Sequence, residues 1–271
     1  MANTRLRRRP SMLLKACLNG NRKPTTHPAL PISPEDIAGD ARRVVEAGAG
    51  ALHFHPRGSD GSEVLHAEAV GMAVEAVRSA CPDVPIGIAT GAWIEPELGH
   101  RLELVSEWGS LPAGSRPDFA SVNFSEGGAV EVCAALLEAG VGVEAGLWSV
   151  EDALLLVESD FADGCTRLLI ELVREHAADE ALATARGVES VLDRSDTATP
   201  RLLHGEGAVA WPMLQYALER GYDARIGFED TLVLPDGSPA RDNAQLVEAA
   251  RRCAERLGRI LASPSPGDRE I

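Results

Sequence analysis

Aromatic residues are scarce in this sequence, lysine is nearly absent, cysteines never pair at short spacing, and no apolar run is long. Each shortage excludes something. Aromatics make up 4% of the 271 residues, so the core is expected to be aliphatic. Lys15 and Lys23 are the only lysines, which removes a Schiff-base amine from most of the chain. Cys17, Cys81, Cys133, Cys165 and Cys253 form no Cys-x-x-Cys pair and mostly sit in apolar runs. Buried, reduced thiols and a cytosolic compartment are expected. No segment approaches the roughly 20 apolar residues of a membrane span. The basic opening Arg5-Leu6-Arg7-Arg8-Arg9 precedes an apolar run that Lys15 cuts short, unlike a signal peptide. The protein therefore reads as cytoplasmic. A formal net charge of −15 disfavours nucleic acid and anionic membrane surfaces as partners.

What is present is a regular alternation. Hydrophobic residues are 45% of the chain, ample for a large core. Short apolar runs are expected as strands over 12–18, 51–55, 84–89, 119–124, 141–147, 165–173, 201–204 and 224–228. Amphipathic segments follow each of them, over about 34–48, 63–80, 96–108, 129–139, from 149, 179–192, 208–220 and 243–261. Ser33-Pro34-Glu35-Asp36 is a clear helix start. Eight β-then-α units in a chain of this length predict a TIM (β/α)8 barrel of the α/β class. No Gly-x-Gly-x-x-Gly follows the first strand, which disfavours a doubly wound sheet. Residues 1–10 read as a disordered basic arm, 11–262 as a single barrel domain and 263–271 as a flexible tail.

The chemistry gathers at strand ends, which in such a barrel share one mouth. His53 and His55 stand two apart on a strand, so both project to one face, roughly 7 Å apart at Cα. Glu229, just past the last strand, can complete a set of two imidazoles and one carboxylate for a divalent cation, leaving positions open for substrate. Asn19, Asn21, Arg57, Thr90, Ser121, Asn123, Glu144, Glu171, His204, Glu206, Arg225 and Asp230 fall on the same rim. Plainer readings stand beside these. The histidines can be paired to backbone or carboxylates, and Glu229 and Asp230 can be turn caps. Glu144 and Glu171 can each be half of an ion pair with a barrel arginine, the reading favoured for Glu171. His204 can be a satisfied core histidine, and surface roles suffice for His27, His66, His100 and His176.

Several segments in order carry a resemblance across nearly the whole chain: Asn19-Gly20-Asn21, His27-Pro28-Ala29-Leu30-Pro31, His53-Phe54-His55-Pro56-Arg57, Ala89-Thr90-Gly91, Ser121-Val122-Asn123-Phe124, Arg225-Ile226-Gly227-Phe228-Glu229-Asp230 and Asp242-Asn243. Together they resemble the β-keto acid cleavage enzymes. The resemblance implies a (β/α)8 barrel holding zinc or another divalent cation on His53, His55 and Glu229. The implied reaction is a β-keto acid plus acetyl-CoA giving acetoacetate plus a new acyl-CoA. It implies Asp230 and Arg225, with Glu144 in support, as the proton-handling group. Thr90 and Ser121 would be substrate contacts, with Asn123, Asn21 and Arg22 as further candidates. The absence of a lysine near these residues suits a metal route. A homo-oligomer, dimer or tetramer, is also implied.

The sequence departs from the family pattern in three places, one of them a short segment between the third and fifth strands. Members acting on an amino-keto acid carry a Glu after the first strand, where Asn21 and Arg22 stand here. That disfavours an ammonium-bearing substrate. Arg22 suits an anionic side chain if it faces the mouth, and is otherwise a solvated loop arginine. His204-Gly205-Glu206-Gly207 also differs from the pattern. The rival classes are a metal-dependent aldolase or hydrolase on the same fold, and a non-catalytic barrel that binds a metabolite.

Overall fold

The computed structural model describes residues 12–174 and 177–262. The expected arm over 1–10 and tail over 263–271 lie outside the described residues, as does His176. Eight parallel strands close into a barrel in sequence order. They are β1 (Leu14–Cys17), β2 (Ala51–Phe54), β3 (Ile86–Ala89), β4 (Phe119–Asn123), β5 (Gly142–Leu147), β6 (Arg167–Leu172), β7 (Arg201–Gly205) and β8 (Asp223–Ile226). Each is followed by a helix: α1 (Pro34–Glu46), α2 (Ala67–Ala80), α3 (Leu98–Glu107), α4 (Ala129–Glu138), α5 (Val150–Glu158), α6 (Ala178–Arg194), α7 (Ala210–Arg220) and α8 (Asn243–Arg256). The TIM-barrel expectation holds. No helix among the described residues is long and apolar enough to cross a membrane.

Local chemistry explains the boundaries. Ser33 and Asp36 form a reciprocal capping box at the start of α1, and Ser149 and Asp242 cap α5 and α8; each satisfies backbone donors that have no partner inside the helix. Along each strand, one set of alternate residues faces the helices. Leu14, Ala16, Leu52, Phe54, Ile86, Ile88, Leu168 and Ile170 all join the aliphatic core there.

The other set faces the barrel axis, and it is unusually polar. Branched apolar layers normally fill this space. Here a chain of charges crosses the floor: Asp223 pairs with Arg167 at 3.1 Å, Arg167 with Glu144 at 2.5 Å, and Glu144 with Lys15. The Phe119 ring lies 5.6 Å from the Lys15 ammonium. Lys15 is fully buried and opposes Arg225 across the β1–β8 ladder. The expectation of no lysine near the site is thus corrected. Its alternation on β1 turned it inward, where Glu144 neutralises it.

Two helix boundaries move furthest. The second helix begins at Ala67 rather than Glu63, because Arg57 to Glu63 folds back on itself as an antiparallel bridge. The last helix stops at Arg256 rather than Leu261, because the chain returns to the barrel base, where Leu261 pairs with Met12.

Candidate active site

β2 delivers His53 and His55 to the mouth together, with ring centroids 5.3 Å apart and planes 84° apart. Their Nε2 atoms lie 3.8 and 3.6 Å from Glu229 Oε2. Glu229 reaches that point through a gap left by Gly20. A Cβ at Gly20 would sit 2.5 Å from Glu229 Cγ, and the backbone there has φ +56°, a conformation that favours glycine.

The backbones carrying these groups are clamped. Asn19 Oδ1 accepts the His55 N–H at 2.8 Å, and its Nδ2 donates to the carbonyls of His55 and Pro31 at 3.0 and 3.1 Å. Asn243 accepts the Phe228 N–H at 2.6 Å and donates to Leu18 O at 2.8 Å and Asp40 Oδ2 at 2.7 Å. It thereby ties β8 to β1 and α1 just before Glu229. Replacing Asn243 by Ala leaves buried partners unsatisfied and is expected to cost at least ~2 kcal/mol. Chemical denaturation measures this, and an unchanged midpoint would mean that the clamp is redundant.

Arg225 is the electrostatic hub. Its guanidinium meets Asp230 Oδ1 at 2.7 and 3.1 Å, Glu229 Oε1 at 2.6 Å and Glu171 Oε2 at 3.7 Å. His204 joins from β7, with Nε2 2.8 Å from Glu171 Oε2 and Nδ1 3.3 Å from Asp230 Oδ1. Trp148 Nε1 donates to the other Glu171 oxygen at 3.3 Å. With Glu206 Oε1 at 4.0 Å, one guanidinium thus faces four carboxylates. Burial alone would raise the Glu229 pKa, but Arg225 and the imidazoles outweigh it and hold the carboxyl well below its usual range. Burial pushes His53 well below the ordinary imidazole value, a shift that favours the neutral ring a metal ligand needs.

These groups surround a cavity of about 240 Å³. Asn21, Ser121 and Asn123 line it with His53, His55, Arg225 and Glu229. The other predicted site residues stand elsewhere. Asp230 is buried just behind Arg225. Thr90 is buried and donates to Ser121 O at 2.7 Å. Arg22 does not line the cavity and donates to the carbonyls of Phe228 and Glu229. Glu144 lies in the barrel floor with both oxygens engaged by Lys15 and Arg167. Glu171, expected in an ion pair with a barrel arginine, does face Arg225. It is also the acceptor for His204.

Some groups at or behind the cavity wall escaped the sequence reading. Glu63 accepts from His55 Nδ1 at 2.5 Å; the Gly58 and Gly61 turn signals before it were the clue that its loop folds back. Trp93 and Trp148 line the cavity, and nothing local to either marks it out. Glu206, which the sequence already placed on this rim, lines it too, with its carboxyl raised to about 7 by burial first and by Asp230 second, although 40% of the side chain remains open. His27 is no surface group. It bonds Ala240 O at 3.1 Å and packs on Phe228 at 4.4 Å between ring centroids.

The donor set fits a divalent cation. The ligand atoms of His53, His55 and Glu229 all lie within 4.8 Å of one another. Glu229 Oε2 is buried, faces two imidazoles and has no hydrogen-bond partner, which a buried carboxylate oxygen rarely lacks without cause. Two imidazoles and a carboxylate are donors that zinc accepts.

Comparison with known proteins agrees in sequence and in fold. The 3-keto-5-aminohexanoate cleavage enzyme of Acetoanaerobium sticklandii is 28% identical over 270 residues, covering 96% of this chain and 97% of that one. The 3-oxoadipate:acetyl-CoA acetyltransferase of Cupriavidus necator is 24% identical, covering 88% of this chain and 86% of that one. Among solved structures, apo ObcA superposes with a TM-score of 0.71 at 17% identity, covering 88% of this chain but 64% of ObcA. A family model for beta-keto acid cleavage enzymes matches residues 11–266. The chain belongs to the beta-keto acid cleavage enzyme family.

Proposed function

We propose that this protein condenses a β-keto acid with acetyl-CoA and releases acetoacetate and a new acyl-CoA. The observation that carries this reading is a pair of buried oxygens without partners, Glu229 Oε2 and Asp230 Oδ2, on consecutive residues held by one arginine. The first suits a cation shared with His53 and His55. The second suits a proton acceptor whose orientation Arg225 fixes. The relatives named above act on β-keto acids, and one is an acetyl-CoA acetyltransferase by name.

A zinc or other divalent ion on His53, His55 and Glu229 would supply Lewis acidity toward the keto oxygen. Asp230 takes a proton from the carbon between the keto and carboxylate groups. That carbon forms a bond to the acetyl carbonyl carbon, and the acetyl C–S bond breaks. The freed CoA thiolate bonds to the original keto carbon, and the bond from that carbon to the central one breaks. Asp230 returns its proton to the central carbon, which completes acetoacetate. Arg225 keeps Asp230 and Glu229 apart in role by binding one oxygen of each. Ser121, Asn123 and Asn21 line the cavity as the polar contacts for substrate. Thr90 braces Ser121 through its carbonyl, Arg22 steadies the Glu229 backbone, and Glu144 supports the site from below. The enzyme works as a homo-oligomer in the cytoplasm.

The test is an acetyl-CoA-dependent assay against neutral, anionic and cationic β-keto acids, reading acyl-CoA and acetoacetate together. Both products are expected in equal amounts, and chelation or His55→Ala is expected to abolish both. A bound cation with no CoA product from any substrate would move the protein to the aldolase or hydrolase class.

A further inference from the structure

The β2–α2 loop makes a detour that barrel closure does not require. Gly58 N donates to Ser62 O at 2.8 Å and Gly61 N to Gly58 O at 2.9 Å. The chain then returns, so that Arg57 bridges Glu63 and Val64 N donates to Pro56 O at 3.1 Å. The return brings the Glu63 carboxylate against the ring of His55, with Nδ1 to Oε1 at 2.5 Å. The same Oε1 accepts the indole N–H of Trp93 at 3.1 Å. Trp93 comes from the separate β3–α3 loop and stacks on His55 with centroids 6.3 Å apart and planes 25° apart. Gly91 leaves it room, since a Cβ there would lie 2.3 Å from the indole.

This arrangement calls for a hydrogen on Nδ1 of His55. An ionised carboxylate only accepts, so Nδ1 donates to Glu63, and Nε2 is the nitrogen turned toward Glu229 Oε2, 3.6 Å away. The shared oxygen also resists rotation of the ring. His53 has no such support, because its Nδ1 is buried without a hydrogen-bond partner. The two imidazoles are therefore unequal: one is anchored and one is not.

We propose that Glu63 is a positioning residue for the cation site, holding His55 with its free lone pair presented, and that Trp93, tied to the same oxygen, reports whether the site is filled. The inference rests on the cation reading of His53, His55 and Glu229. It assigns to a loop carboxylate the job of orienting a ligand, and to an entrance indole an optical signal.

Zinc alone, titrated into chelator-stripped full-length protein against a competing chromophoric chelator, tests both parts. Glu63→Gln keeps an acceptor oxygen but loses the charge, and is expected to bind zinc about 10-fold more weakly; Glu63→Ala loses both, and about 100-fold is expected. Trp93→Phe is expected to bind zinc close to wild type. Zinc should change tryptophan emission in the wild type but not in Trp93→Phe, although three of the four tryptophans remain there. Unfolding midpoints of the stripped proteins should agree, which separates ligand positioning from loop stability. Wild-type zinc affinity in Glu63→Ala would overturn the positioning role while leaving the cation reading intact. An emission change that survives in Trp93→Phe, or none in the wild type, would overturn the reporting role. A wild type that binds no divalent cation would overturn the cation reading and this inference together.

Discussion

Asp230→Asn is expected to lower kcat/KM by about 10²–10⁴, the range for loss of a positioned general base, with zinc affinity close to wild type. The substitution is nearly isosteric. The amide oxygen can still accept from Arg225, whose Nε and Nη2 reach Asp230 Oδ1 at 3.1 and 2.7 Å. Arg225 also keeps Glu229 at 2.6 Å, so the cation ligand retains its partner. The backbone is held independently, since Gly207 N donates to Asp230 O and Asp230 N to Gly227 O, 2.8 and 2.9 Å. What disappears is the basic lone pair on the unpartnered oxygen. A general base acting only in proton transfer should show the loss in kcat rather than in KM. Full activity in Asp230→Asn, paired with a collapse in Glu206→Gln, would transfer the proton to Glu206, which lines the cavity where Asp230 does not.

Glu144→Gln is expected to destabilise the fold by about 3–5 kcal/mol, as loss of one member of a buried ion pair usually does. Glu144 is completely buried between Lys15 and Arg167. Its removal leaves the Lys15 ammonium in the barrel without a counter-charge, and a lone buried charge is costly. The pH dependence carries the same signature. Burial opposes ionisation of Glu144, but Lys15 and Arg167 outweigh it and lower the pKa from 4.5 to about 2. The folded state therefore holds fewer protons on this group than the unfolded state does. Its stabilisation is present above about pH 4.5 and is lost as the pH falls toward 2. Urea midpoints between pH 2 and 7 should show this acid limb in the wild type and a flatter one in Glu144→Gln. Comparing stability with turnover in the same variant also separates the two roles of this residue. A stable Glu144→Gln protein with greatly reduced turnover would favour direct support of the proton-handling group over a part in the floor.

The loop between Arg57 and Glu63 shows why local pattern and tertiary structure diverge. Apolar periodicity placed a helix start at Glu63, since the run into α2 is continuous in character. The chain instead uses Gly58 and Gly61 to double back, and the helix waits until Ala67. Arg22 behaved similarly. A loop arginine beside a predicted mouth can face substrate, solvent or backbone, and its neighbours in sequence do not distinguish these. Only the adjacency of β1 and β8 puts the Phe228 and Glu229 carbonyls within its reach. Lys15 is the opposite case. Its inward direction follows from strand alternation once β1 is in register, yet Glu144, 129 positions away, becomes its partner only because the barrel is closed.

By itself, the sequence determined the eight-fold alternation, the (β/α)8 class and the meeting of His53, His55, Glu229 and Arg225 at one mouth, with Asp230 next to them. Those features follow from two periodicities and from the rule that strand ends in such a barrel share a rim. Tertiary structure alone decided the Glu63–His55–Trp93 contact, the inward pairing of Lys15 with Glu144 and the turn of Arg22 onto backbone carbonyls. Each of these depends on a loop direction or on an inter-strand distance. Local propensity carries no term for either.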